Sequence, residues 1–277
     1  MFNINFYIKR AEGVSTPEFK DFWFGKHAES LREFVENLGV RALIKHEILP
    51  EHPVGVSAAE DYGTAPLRYD AVDTWKFNDI EALKAGSALA DVQAALASLA
   101  KLESEYVDFA ASNVLMTVDL AQFHGVDANE IRATPDGSFV KIFYVVRVLD
   151  CLTRAGAQLH WNTCHGALSR QDIRYSMQAK YNQCHAIEST FVDQLAADRG
   201  YEIDGDLIGH AEGWIDAEQT PKDFPEDEQA EVVSMSMDDI DLFADKHRGN
   251  VFVCHEHYVI DKPVIVRPLP KFFGAVY

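Results

Sequence analysis

The chain has 277 residues, with 25 Lys and Arg against 44 Asp and Glu, for a formal charge of −19. That length fits one large or two ordinary domains, and the negative excess argues against nucleic acid and anionic membrane surfaces as partners. No apolar run approaches the ~20 residues of a membrane span, and the amino-terminal segment lacks a signal peptide's apolar core, so a cytoplasmic location is expected.

Ile4, Phe6 and Ile8 alternate with Asn5, Tyr7 and Lys9, the period-2 pattern of a strand. Thr16-Pro17-Glu18 starts a helix with proline at its first position. Phe19, Trp23, His27, Leu31 and Phe34 then mark one face at spacings of three and four, and Gly39 suits a carboxyl-terminal cap. A second strand carries Ala42, Ile44, His46 and Ile48 on one face, and a third runs from about Tyr69 to Phe77. A long Ala/Leu-rich helix is expected over about Asp79 to Tyr106, and Val114 to Val118 reads as a last strand. The order β-α-β-β-α-β is that of a ferredoxin-like unit.

The same landmarks return about 138 residues later. Phe6-Tyr7-Ile8-Lys9-Arg10 is answered by Phe143-Tyr144-Val145-Val146-Arg147, Trp23-x3-His27 by Trp161-x3-His165, His46 by His185, and Trp75 by Trp214. The second copy reads as a strand over Phe139 to Leu149, a helix over Thr153 to about Arg170, and strands over Tyr181 to Ile187 and Ile208 to Asp216. A helix around Met237 to His247 and a strand over Val251 to Ile260 complete it, and the acidic stretch from Asp216 to Glu231 reads as a solvated loop. Residues 1–125 and 137–262 thus form two units joined by a linker, followed by a Pro-containing tail, 263–277, expected to pack against something. The expected fold class is α+β, with two fused ferredoxin-like units whose bare sheet faces meet in a dimeric α+β barrel. Such a pseudo-dimer would exist as a monomer or a homodimer.

The string from Arg10 to Phe19, followed by Phe22-Trp23-x3-His27-Ala28, resembles the EthD family, as does Tyr69-Asp70-Ala71-Val72 on the third strand. The similarity covers roughly residues 4–118 and, more thinly, 139–261. It implies a barrel with a cavity, whose relatives include cofactor-free decarboxylases and dehydratases of phenolic or polyketide-like compounds. Thr74 stands where that family commonly has a glutamate, and Ile208-Gly209-His210 lacks its aspartate.

Four cysteines form no CxxC and read as free thiols. Histidine is the chemically informative residue, and its placement is uneven. His27 and His165 follow a tryptophan by four on the sheet-facing helix stripes, while His46 and His185 share the parity of apolar strand residues and are expected to face the cavity. His210, Glu212 and Trp214 alternate along one strand face, as do His255 and His257 along the last. Convergence of these groups would supply general acid and base catalysis, so His165, His185, His210 and His257 are the candidate catalytic residues. His27, His46, Trp161, Tyr181, Glu212, Trp214, His255 and Arg147 are the candidate substrate-binding set, with the paired tryptophans, Phe6, Phe143 and Tyr181 as walls for a planar aromatic ligand.

Three Cys-His dipeptides invite a metal, but neighbours on a strand face opposite ways, so no metal site is expected. The absence of a GxGxxG or phosphate loop points to no nucleotide cofactor, and none of any other kind is expected. The reading of function is a cofactor-free lyase, a decarboxylase or dehydratase, acting on an aromatic small molecule. The alternatives are a non-catalytic aromatic-binding accessory protein and a metal- or oxygen-dependent oxidoreductase.

Overall fold

A computed structural model describes residues 1–32, 34–50, 67–124, 131–172, 178–218 and 226–262. Eight strands account for its frame: β1 (Phe2–Ile8), β2 (Val40–Ile48), β3 (Ala71–Phe77), β4 (Asn113–His124), β5 (Phe139–Arg147), β6 (Gln178–Ile187), β7 (Leu207–Asp216) and β8 (Asn250–Asp261). All pair antiparallel in one closed barrel of order β1-β3-β2-β8-β5-β7-β6-β4, which β4 closes by pairing back to β1.

This corrects the expectation of two ferredoxin-like α+β units. Separate units would each leave two strand edges with unpaired N–H and C=O groups. Here β2 pairs with β8 from Ala42↔Asp261 to Ile48↔Cys254, and β4 pairs with β6 from Met116↔Ile187 to His124↔Lys180. Hydrogen bonding at both seams abolishes every edge, so the eight strands share a single sheet.

The helices lie outside. In the first half α1 (Thr16–Asp21), a π-helical turn (Phe22–Lys26) and α2 (His27–Arg32) run end to end. Ser15 caps α1 through a capping box with Glu18. The expected long helix is two, α3 (Ile80–Ser87) and α4 (Ala90–Glu103), because Leu89 turns extended and starts a new helix. The second half repeats the broken helix as α5 (Arg154–His160), a π-helical turn (Trp161–His165) and α6 (Gly166–Asp172). It adds α7 (Thr190–Arg199), which the sequence reading left out although Ser189 caps its start and Gly200, at φ +78°, its end. The last helix, α8 (Glu226–Ile240), begins inside the stretch expected to be loop and ends before His247. β4 likewise extends six residues past the expected Val118, into the expected linker. The tail 263–277 lies outside the described residues.

The core has two kinds of layer. Ile4, Phe6 and Ile8 of β1 face outward and pack with Phe19, Phe22, Trp23 and Leu31 beneath the first helices. Trp161, Tyr181, Ile208 and Ala211 pack with Phe243 in the second half. Alternation then sends Asn3, Asn5 and Tyr7 into the barrel, where Asn5 donates to Thr117 and accepts from Thr74. The lumen is therefore substantially polar, with an apolar zone around Tyr7, Tyr69, Leu115, Phe143 and Phe252. Among the described residues no helix is long and apolar enough to cross a membrane.

Candidate functional site

The structure distributes the candidate residues over three places. Beneath the first-half helices, His27 stacks on Trp23 at 3.9 Å and lies between Glu103 (Nε2–Oε1 2.7 Å) and Lys45 (Nζ–Nδ1 2.8 Å). Lys45 also donates to Asp73 at 2.7 Å, Trp23 donates to the other oxygen of Asp73, and Arg199 takes the second oxygen of Glu103. Burial and the Lys45 ammonium hold His27 well below the usual imidazole range. Both of its ring nitrogens are occupied, so this network reads as a closed structural bolt with no valence left for substrate.

Inside the barrel stand His46, His210, Glu212 and Trp214. His46 bonds Thr74 at 3.0 Å. Tyr7 Oη lies 2.6 Å from His210 Nδ1, and Lys141 bridges Glu212 (2.6 Å) and Glu256 (3.3 Å). Trp214 donates its indole N–H to Glu256 and lies beneath the ammonium groups of Lys141 and Lys180. Burial disfavours the charge on Lys141, but the two carboxylates outweigh it and raise the ammonium's pKa above its ordinary value. Glu212 is held well below the carboxylate range, the lysines overcoming its burial. None of these charged groups except Glu212 stood among the sequence candidates, because Lys141 and Glu256 sit in strands where charge at an alternating position reads as solvent-facing.

The third place is the buried layer packed between the second-half helices and the outer face of β6 and β7. His165 Nδ1 lies 3.0 Å from Asp239 Oδ2, and His160 Nε2 holds the other oxygen at 2.8 Å. Burial raises the Asp239 carboxyl, but the hydrogen bonds from the two imidazoles win, and it stays below its ordinary value. His185 stacks on Trp161, with ring centres 4.5 Å apart and 13° between planes. Gln183 donates to the Trp161 carbonyl, so its oxygen is the acceptor for His185 Nε2–H at 3.1 Å. Burial pushes His185 down to about 4, leaving it neutral at physiological pH. Phe243 and Tyr181 complete the wall.

Trp161, Tyr181, His165 and His185 thus come together, whereas the expected convergence of all the histidines does not occur. His185 faces outward while its supposed counterpart His46 faces inward. The apparent repeat is out of register by one residue across these strands, and one residue reverses the face. On β8 the inward residues are Phe252, Cys254 and Glu256, so His255 and His257 lie outside the barrel. His257 pairs with Glu47 at 2.9 Å and packs on Phe24. Arg147 is buried in an ion pair with Asp204, so its charge is already partnered. Sequence reasoning missed Asp239, whose signal is its place on a helix face four residues before Phe243. A surface cleft of about 360 Å³ opens between β4, β6 and α7, and its wall includes Asn113, Leu115, Arg154 and Asp204, the ion-pair partner of Arg147.

No protein family and no curated protein matches the chain. Solved structures do. An anthrone oxidase-like protein aligns over 95% of this chain and 94% of its own, with 12% identity and a TM-score of 0.54. A protein of Lactobacillus acidophilus provisionally named a monooxygenase covers 94% and 96% at 9% identity, with a TM-score of 0.43. One of Fusobacterium nucleatum with the same provisional name covers 93% and 92% at 7% identity and 0.47. At 12% identity the likeness to the anthrone oxidase-like protein speaks for the fold alone. The expected lyase is corrected, because the histidine cluster on which decarboxylation rested is dispersed over three sites.

Proposed function

We propose that the chain is an enzyme that removes a proton from a small planar aromatic substrate, with His165 and Asp239 beneath the second-half helices as its proton-transfer pair. The carrying observation is the Asp239–His165 pair beside the Trp161–Phe243 wall. An ionised carboxylate on Nδ1 fixes the tautomer that leaves Nε2 as the base, and it stabilises the imidazolium that forms. Among the described residues nothing hydrogen-bonds His165 Nε2 or His185 Nδ1. His185, kept neutral by burial, supplies a second acceptor at the wall. Trp161 and Phe243 form an aromatic layer that packs around the two histidines. The EthD resemblance belongs to this reading, since its Trp-x3-His motif falls on Trp161 and His165.

Deprotonating an electron-rich phenol or anthrone gives the anion from which dioxygen most readily takes electrons. The barrel shared with an anthrone oxidase-like protein makes oxidation the reaction to test first. Incubation with anthrone-class and phenolic compounds in D2O, followed by NMR and an oxygen electrode, reads both steps. Wild type is expected to exchange the acidic proton and consume oxygen. His165→Gln and Asp239→Asn should lose about 10²-fold or more in exchange rate. Full exchange in both variants would overturn the assignment, and binding without exchange or oxygen uptake would favour a ligand-binding role instead.

A further inference from the structure

We propose that the barrel lumen holds a transition-metal site of the zinc class, with Cys184 Sγ, His210 Nε2 and Glu212 Oε2 as its protein ligands. The site is distinct from the His165–Asp239 pair, and it does not depend on the function proposed there.

Cys184 on β6 is directly opposite His210 on β7, and Glu212 follows two residues on, along the same face. The three side chains therefore converge from two neighbouring strands, with one ligand atom from each lying within 4.8 Å of the others. Ligand atoms around a tetrahedral zinc stand about 3.3–3.8 Å apart, so about 1 Å of contraction closes the set.

The hydrogen bonding of these side chains is selective. His210 Nδ1 is taken by Tyr7 at 2.6 Å, and Glu212 Oε1 by Lys141 at 2.6 Å. The remaining atoms, His210 Nε2 and Glu212 Oε2, have no hydrogen-bond partner although the residues are only 0% and 1% exposed. Nε2 stands 3.5 Å from Glu212 Oε1, an ion-pair separation that brings the two candidate ligands together. Buried polar atoms without partners are rare and cost about 1–3 kcal/mol each. Two of them, beside a buried thiol, are the pattern of a metal site with its outer partners in place. A ligating histidine ordinarily donates its other N–H, here to the Tyr7 oxygen, and a ligating carboxylate is itself hydrogen-bonded, here by Lys141.

The donor set chooses the ion. One sulfur, one imidazole nitrogen and one carboxylate oxygen suit zinc and its first-row neighbours, and exclude magnesium and calcium, which take oxygen. Asp119 accepts from the Cys184 thiol at 3.3 Å and stands nearest to a fourth position. On binding, the thiol proton leaves and sulfur coordinates as thiolate, so a divalent ion adds one net charge to the lumen. Asp119, Glu212 and Glu256 face Lys76, Lys141 and Lys180 there.

The test is cobalt(II) substitution of the full chain after chelator treatment. One equivalent per chain is expected to give a near-ultraviolet sulfur-to-cobalt band and the visible bands of a four-coordinate ion. A Cys151→Ser/Cys164→Ser/Cys254→Ser chain, retaining only Cys184, should keep the sulfur band, and Cys184→Ser should lose it. Glu212→Gln should weaken cobalt retention at least tenfold, and zinc should raise the melting temperature of wild type but not of Glu212→Gln. A wild-type chain that retains no cobalt, or whose cobalt shows no sulfur band, overturns the site even if the variants fail to fold. So does a sulfur band that survives Cys184→Ser.

Discussion

Replacing Lys141 by methionine tests whether the lumen is held together by charge pairing. The side chain is 1% exposed and its ammonium contacts two carboxylates, Glu212 at 2.6 Å and Glu256 at 3.3 Å. At an effective dielectric of 20 these separations correspond to gross attractions of about 6 and about 5 kcal/mol, most of which offset the desolvation of the three groups. The net loss comes from what remains behind. Glu256 keeps the Ala133 amide, the Trp214 indole and the Tyr258 hydroxyl, so its charge stays solvated by donors. Glu212 keeps none of comparable quality, its Oε2 being already without a partner. One uncompensated buried carboxylate puts Lys141→Met at about 3–5 kcal/mol destabilising. With a urea dependence of about 3 kcal/mol/M, that lowers the urea midpoint by about 1–2 M. Tryptophan fluorescence reads the transition, because Trp214 lies beneath the Lys141 ammonium. The double variant Lys141→Met/Glu212→Gln removes the stranded charge and should recover at least about half of the loss. A single variant within 1 kcal/mol of wild type, or a double variant no better than the single, refutes the reasoning.

Other perturbations separate structure from chemistry. His27→Gln breaks the Lys45–Glu103 bolt and should cost about 2 kcal/mol while leaving substrate turnover unchanged; loss of activity in a folded His27→Gln would place the first-half network in catalysis. Burial depresses His27, His46 and His185, so the unfolded chain binds more protons between the ordinary imidazole value and the folded one. Stability should therefore be full above about pH 6.5 and fall progressively as the pH drops toward about 4; His185→Gln should reduce that fall by about 3 kcal/mol in denaturation series across the window, and an identical pH slope would contradict the assignment. Gly209 has φ +140° and lies so close to the β6 backbone that an added Cβ would meet the Cys184 carbonyl oxygen at 2.0 Å. Gly209→Ala should destabilise by about 2–4 kcal/mol and disturb metal retention, and a neutral effect on thermal melting would mean that β7 can move away from β6.

Much of the frame was legible in order and type. All eight strands fall on segments read as strands, and the helix stripe Phe19, Trp23, His27, Leu31 is buried as its spacing predicts. The helix α7 was missed because its apolar face is weak, though Ser189 and Gly200 marked both ends. Trp161 and His165 were readable from a helical stripe, since a spacing of four fixes a common face whatever surrounds it.

Strand residues gave no such guarantee. The repeated motif paired Phe6 with Phe143 and His46 with His185, yet Phe6 and His185 face the helices while Phe143 and His46 face the lumen. A period of two says that neighbours differ in face, and it leaves open which of the two faces is inside. The sequence alone determined alternation, helix stripes and chain order. Only the tertiary structure decided that the edges of both halves pair into one barrel, and hence that Tyr7, Lys141, Cys184, His210 and Glu212 share its interior. Closure selects the inward face of every strand at once, through hydrogen bonds between residues as distant in sequence as Ala42 and Asp261.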